Sequence, residues 1–212
     1  MATTPRPGLP YIYLTWLTKV LAGEAECVYQ PWVKAHFKYA KRPDTSFNLA
    51  AWSVEHNALV TKRAEALRQD GYVITLEDQN SFKLLGKTAI LAGKPDILAV
   101  RDGRWLVVDA KTGQQRHSDF MQVLIYMLAL PRVRGEVQDI SGEVCYAEYQ
   151  IPVASEELTP DLEARIFALI RTVGAADRPA TAPSARGCAW CDVADCKDRY
   201  VGAVPEAMTV AF

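Results

Sequence analysis

Asp96, Asp109 and Lys111 stand where two carboxylates and an ammonium can meet. Asp96 closes Gly93-Lys94-Pro95-Asp96, and the other two frame Asp109-Ala110-Lys111. Between them lie two β-prone runs, residues 97–101 and 104–108, joined by Asp102-Gly103. That dipeptide is the composition of a two-residue hairpin turn. Counting back from Arg101 opposite Arg104 sets Asp96 across from Asp109, at a non-hydrogen-bonded position where paired backbones lie closest. Like charges facing each other across a sheet repel, and a divalent cation between them removes that cost. Lys111, two residues on, shares the face of Asp109. The intervening pairs, Ile97 with Val108 through Val100 with Trp105, are apolar on both faces, so the strands read as internal. Charges at the end of such a pair are costly unless paired or metal-bound. The spacing leaves two readings open, a metal site or a structural ion-pair cluster.

The elements that must hold these residues follow from pattern. Residues 27–39 read as a helix disturbed at Pro31, and 47–69 as a long helix ended by Asp70-Gly71. Strands are expected at 72–76, 82–85, 88–92, 95–101 and 104–110, then a helix over 118–130 with Ser118 as its N-cap. Residues 143–151 alternate as a strand and 160–172 as a helix, giving an α/β chain with a mixed sheet flanked by helices. Gln122 and Tyr126, four apart, share a helical face that must pack beside the end of the Asp109 strand. His56 shares a helical face with Leu49, Trp52, Leu59 and Val60, the usual setting of a core histidine.

The chain has 212 residues, 50% of them hydrophobic, which suits one domain spanning 1–212. A formal charge of −1 gives no global pull towards nucleic acid, so such affinity would need a local patch. No apolar run approaches membrane-spanning length and the N-terminus lacks a signal-like apolar core, so a cytoplasmic protein is expected. In that compartment five cysteines are better read as metal ligands or free thiols than as disulfides. Residues 177–187, rich in Pro and Ala, read as a linker before a short cysteine-bearing tail.

Together, His56, Gly93-Lys-Pro-Asp96, Asp109-Ala-Lys111 and Gln122-x-x-x-Tyr126 resemble the RecB-like branch of the PD-(D/E)XK nucleases, in that family's order and spacing over residues 47–130. The resemblance implies a restriction-endonuclease-like core and a metal-dependent deoxyribonuclease, an exonuclease on single-stranded DNA or DNA ends. It implies that His56, Asp96, Asp109 and the carbonyl of Ala110 bind Mg²⁺ or Mn²⁺. It also implies that Lys111 orients or deprotonates the attacking water, while Gln122 and Tyr126 position the strand being cut.

Cys188-Ala-Trp-Cys191-Asp-Val-Ala-Asp-Cys196, with Cys27 far upstream, resembles the iron-sulfur staple of AddB-type nucleases and of the family-four CRISPR adaptation nuclease. That likeness implies a [4Fe–4S] cluster joining the N- and C-terminal segments, although thiolates also suit zinc. It further implies a place in CRISPR adaptation, beside integrase proteins, or in DNA repair. The rival readings are a catalytically silent DNA-binding module and a zinc-stapled scaffold of the same fold. Cys145, between Val144 and Tyr146, reads as a buried free thiol. Lys34, His36, Lys38, Lys41 and Arg42 alternate with Trp32, Phe37 and Tyr39, either a solvated helix face or a surface tracking single-stranded DNA.

Overall fold

The computed structural model describes residues 4–42 and 48–202. In chain order its elements are β1 (Thr4–Pro5), β2 (Tyr11–Tyr13), α1 (Thr18–Leu21), α2 (Tyr29–His36), β3 (Phe37–Lys38), α3 (Leu49–Gln69), β4 (Val73–Leu76), β5 (Phe82–Leu85) and β6 (Ile90–Gly93). There follow β7 (Ile97–Arg101), β8 (Arg104–Lys111), α4 (His117–Val133), β9 (Asp139–Tyr146), β10 (Gln150–Val153), α5 (Pro160–Gly174) and α6 (Ala185–Ala189).

The central sheet has five strands in the order β10-β9-β8-β7-β4, mixed because β8 and β9 run parallel. Parallel neighbours need a crossover, and α4 supplies it. Alternation along the strands feeds two apolar layers. Ile97, Ala99, Val108, Ala110 and Cys145 meet Leu59, Val60, Ala64 and Leu67 of α3. Leu98, Val107 and Val144 turn the other way, into the larger core with α4. The α/β expectation therefore holds, with helices on both faces of a mixed sheet. Gly142 lets α4 come close: a Cβ there would lie 2.2 Å from Val123 Cγ1 and 2.8 Å from Met127 Sδ. A second sheet, β2-β6-β5, buries Ile12, Leu91 and Phe82 against the same core.

Several boundaries differ from expectation for identifiable reasons. Pro31 sits in the first turn of α2, where the N–H it lacks would have no helical partner, so it disturbs nothing. The expected start of the long helix, Phe47, lies outside the described residues; α3 begins at Leu49, its first turn capped by Asn48 accepting from the Ala51 N–H at 3.1 Å. Ser118 is not the N-cap of α4. It lies inside the first turn and gives its N–H to Glu24 at 2.9 Å. The single strand expected over 143–151 is a hairpin, β9 and β10, with Cys145 opposite Gln150. Strand β7 starts at Ile97 rather than at Pro95, which has no N–H to give a ladder and whose carbonyl accepts from buried Asn80 at 3.2 Å.

Candidate active site

Strands β7 and β8 pair as the hairpin count requires, Ile97 with Val108 and Arg101 with Arg104. Asp102 and Gly103 have φ of 52° and 77°, the left-handed pair that a type I′ turn needs. Asp96 and Asp109 accordingly arrive at the same end of the hairpin, but they do not simply confront each other. Asp96 Oδ2 accepts from the Ala110 N–H at 2.7 Å, and Oδ1 lies 3.3 Å from His56 Nε2. Asp109 is 2% exposed; its Oδ1 accepts from Gln122 Nε2 at 2.7 Å, and its Oδ2 lies 2.5 Å from Lys111 Nζ. The repulsion expected between facing carboxylates is thus offset by four separate partners.

Helix α4 completes the arrangement. Lys111 Nζ donates to Gln122 Oε1 at 2.9 Å, so one amide contacts both members of the Asp109–Lys111 pair. Gln122 also donates to the Tyr126 hydroxyl at 3.2 Å, which in turn donates to the Lys94 carbonyl at 3.0 Å. Tyr126 is 2% exposed, so its contact is with the loop carrying Asp96 rather than with solvent. Gly93 starts that loop because a Cβ would lie 2.4 Å from Leu14 and 2.7 Å from Phe82. Asn80, fully buried, bonds the Thr75 and Pro95 carbonyls, and the Glu77 N–H meets the Asp96 carbonyl at 3.0 Å.

His56 stands on the half of α3 that overhangs this loop. Its expected apolar neighbours split: Leu59 and Val60 are buried, whereas Trp52 stays partly exposed and stacks on the His56 ring at 4.9 Å. The hydrogen bond to Asp96 raises the pKa of His56 against the opposing effect of burial. Burial lifts Asp109 to about 6, with Lys111 opposing. For Lys111, burial works against the charge, but Asp109 prevails and holds its pKa above the ordinary value.

His56, Asp96, Asp109, Lys111, Gln122 and Tyr126 line one cavity of about 910 Å³, with Tyr13, Trp52, Glu77, Arg116 and Asp119. Of these, Trp52 reads in the sequence only as a neighbour of His56 on its helical face; Tyr13, Glu77 and the Arg116/Asp119 pair at the start of α4 come from separate segments with no shared motif. Arg63 was also missed. From α3 it forks onto Glu143 at 2.7 and 2.6 Å, tying that helix to β9.

Two observations bear on a cation. Among the described residues, buried Asp109 Oδ2 has no hydrogen bond beyond its ion contact with Lys111, and His56 Nδ1 is buried without a hydrogen-bond partner. Among the described residues no group of three or more His, Cys, Asp or Glu is placed to hold a metal ion. Two carboxylates and a backbone carbonyl nevertheless fit Mg²⁺ or Mn²⁺, since Mg²⁺ commonly takes one or two carboxylates and fills its shell with water and phosphate.

Cys27, Cys188, Cys191 and Cys196 line a second cavity, of about 40 Å³, and all are free thiols. Arg199 fixes the tail around it, donating to the carbonyls of Cys188 at 2.5 Å and Cys191 at 3.2 Å. The four thiols thus face one cavity, but among the described residues they are not drawn together as a group that could hold a metal ion. Cys145 is 1% exposed and unpaired, as expected.

Much of the aromatic and basic segment is tied into packing with the C-terminal tail. Trp32 is 6% exposed, its indole donating to the Ala175 carbonyl at 2.9 Å, while Asp192 takes Lys34 at 3.1 Å and the Tyr39 hydroxyl at 2.9 Å. His36 bonds the Val173 carbonyl at 2.9 Å, and Arg42 reaches the carbonyls of Cys188 and Ala189. Phe37 packs beside Trp32, Lys41 pairs through its backbone with Val193, and Lys38, Lys41 and Arg42 remain exposed.

Among curated proteins nothing matches the chain. A solved structure described as "Crystal structure of SSO0001" is similar to it at 14% identity, with a TM-score of 0.44, over 88% of this chain and 84% of that one. The family model of the PD-(D/E)XK nuclease superfamily matches residues 17–196. The chain therefore belongs to that superfamily, a group of nucleases that generally use Mg²⁺ or Mn²⁺.

Proposed function

We propose that this superfamily member is a metal-dependent deoxyribonuclease, an exonuclease that hydrolyses phosphodiester bonds in single-stranded DNA or at DNA ends. The observation that carries the reading is the Asp109–Gln122–Lys111 network, a buried carboxylate and a fixed ammonium in the wall of a cavity of about 910 Å³. Asp96, Asp109 and the Ala110 carbonyl, with His56 beside them, would hold Mg²⁺ or Mn²⁺, which when bound supplies Lewis-acid polarisation of the scissile phosphate. Lys111 has three N–H directions; Gln122 and Asp109 take two, and the third is free to orient the attacking water. Gln122 and Tyr126 position Lys111, Asp109 and the Asp96 loop against one another rather than gripping the strand themselves.

In this reading Cys27, Cys188, Cys191 and Cys196 hold a [4Fe–4S] cluster, with zinc the less favoured occupant, and staple the two ends of the fold. The cysteine likeness supports a role in CRISPR adaptation, beside integrase proteins, or in DNA repair and recombination. The alternative is a catalytically silent DNA-binding or scaffold module stapled by zinc. An end-labelled single strand incubated with Mn²⁺ separates them. Cleavage by the wild type, lost by roughly a hundredfold or more in Lys111→Ala and Asp109→Asn, is expected if these groups act in the transition state. Cleavage unchanged in both variants would overturn the site, and no cleavage by the wild type would favour the silent module.

A further inference from the structure

The second sheet presents an unusual outer face. Ile12, Leu91 and Phe82 point into the core, so the alternate residues Tyr11, Tyr13, Ala92, Lys83 and Leu85 point away from it. Tyr13 and Lys83 flank Ala92 from either side, both in register with it. Tyr13 is 50% exposed and sits between two rings, edge-to-face with Tyr11 and with Trp16, each at 5.1 Å. Lys83 Nζ lies 5.6 Å from the centre of the Tyr11 ring.

This face floors a groove of about 710 Å³, bordered by Lys83, Lys94 and Val133 and, among the described residues, by no carboxylate. Lys94 pairs with Asp78 at 3.1 Å, but Asp78 is almost fully exposed and such surface pairs are weak. Tyr13, Ala92, Gly93 and Lys94 belong both to this groove and to the candidate active-site cavity, so the two are continuous. Rings held in place by neighbouring rings, with ammonium groups beside them, are what unpaired bases and their phosphates recognise. Paired bases keep their faces stacked inside the duplex and gain nothing from such a floor.

We propose that this groove binds single-stranded DNA next to the cut site, one base stacking on Tyr13 and the adjoining phosphates meeting Lys83 and Lys94. The proposal rests on the nuclease reading for the strand's course into the cavity, but not for its binding. Tyr13 and Lys83 are binding residues only, outside the Asp96–Asp109–Lys111 network.

Binding of a fluorescent oligothymidylate to the full chain in EDTA tests this without cleavage. Tyr13→Ala is expected to weaken binding roughly tenfold, the usual scale for losing one base–ring stack, while Tyr13→Trp retains it. The Tyr13→Ala loss should vanish on an abasic strand of equal length. Lys83→Ala should weaken binding less and lower its salt dependence by about one counterion. Wild-type affinity in both Tyr13→Ala and Lys83→Ala would overturn the groove even if the wild type cuts DNA. Tyr13-dependent binding by a protein that never cuts would keep the groove and discard the nuclease reading. A change in oligomeric state in Tyr13→Ala, with unchanged DNA affinity, would make the occupant a second copy and also overturn the proposal.

Discussion

The Tyr126 hydroxyl donates to the Lys94 carbonyl at 3.0 Å, so α4 is pinned to the loop that delivers Asp96. The same hydroxyl accepts from Gln122, whose amide contacts Asp109 and Lys111. Side chains four apart on one helix therefore set the distance between two strand ends.

Tyr126→Phe should expose the value of that pin. The ring keeps its packing, but the Lys94 carbonyl loses a donor, costing about 1–2 kcal/mol of stability. Cleavage in Mn²⁺ should fall by roughly tenfold or more, as small misplacements of reacting groups cost that much or more. Single-strand affinity should stay level, because the hydroxyl faces the loop and not the strand. A wild-type cleavage rate in a folded Tyr126→Phe protein would show that the pin does not position Asp96.

Two carboxylates that only repelled each other would leave the metal-free protein no less stable when one is removed. The arrangement found argues the opposite for Asp109, whose partner Lys111 keeps 24% of its side chain exposed. Asp109→Ala leaves a largely buried ammonium without its counter-charge and should destabilise the protein by about 2 kcal/mol, somewhat less than for a fully buried pair. The double variant Asp109→Ala with Lys111→Ala should lose less than the two single losses added together. Denaturant melts in EDTA measure this, and additive losses would mean that the two groups are not coupled.

The core offers an independent check of the α4–β9 contact. Gly142→Ala places a methyl group 2.2 Å from Val123 Cγ1 and 2.8 Å from Met127 Sδ. Overpacking of this kind costs about 1–3 kcal/mol, so the melting temperature should drop clearly. Val123→Ala in the same chain opens space and should restore part of the loss. No drop in Gly142→Ala would mean that α4 lies farther from β9.

The hairpin was legible because strand side chains alternate with period two and Asp-Gly fixes the turn, so a count alone carried Asp96 to Asp109. Gln122 and Tyr126 were legible as a helical pair, though not the direction of their bonds, which depends on how α4 packs over β8. Arg63 and Glu143, 80 residues apart, carry no local sign of their pairing. Neither does Tyr13, on a strand of only three residues. Trp32, Lys34 and Tyr39 misled because composition does not reveal that the C-terminal tail, through Asp192, covers their face.

Cys145 should be inert in the folded protein. Burial pushes its thiol up to about 11. The thiolate is the reactive form, so at pH 8 only about one molecule in a thousand carries it. Alkylation at that pH, read by mass spectrometry, should leave Cys145 unmodified until denaturant is added, and Cys145→Ser should leave any bound metal untouched. Rapid native labelling of Cys145 would show that β9 opens readily at this position.

Cys27 reaches the second cavity from the N-terminal side, and Cys188, Cys191 and Cys196 reach it from the tail. A centre held by all four closes a loop around most of the chain, a constraint that favours the fold by raising the free energy of the unfolded chain. Each Cys→Ser change should therefore cost similar stability, and combining two should cost little more than one, because the four act as a unit. The purified protein should be brown and contain iron, and chelation or oxidation should bleach it and lower its melting temperature. Activity should fall only as the fold loosens, since no cysteine belongs to the Asp96–Asp109–Lys111 site. Colourless, anaerobically prepared protein with stoichiometric zinc would replace the cluster but keep the staple. Full colour and stability in Cys27→Ser would remove the upstream ligand, leaving the tail cysteines to hold a centre that does not join the two ends.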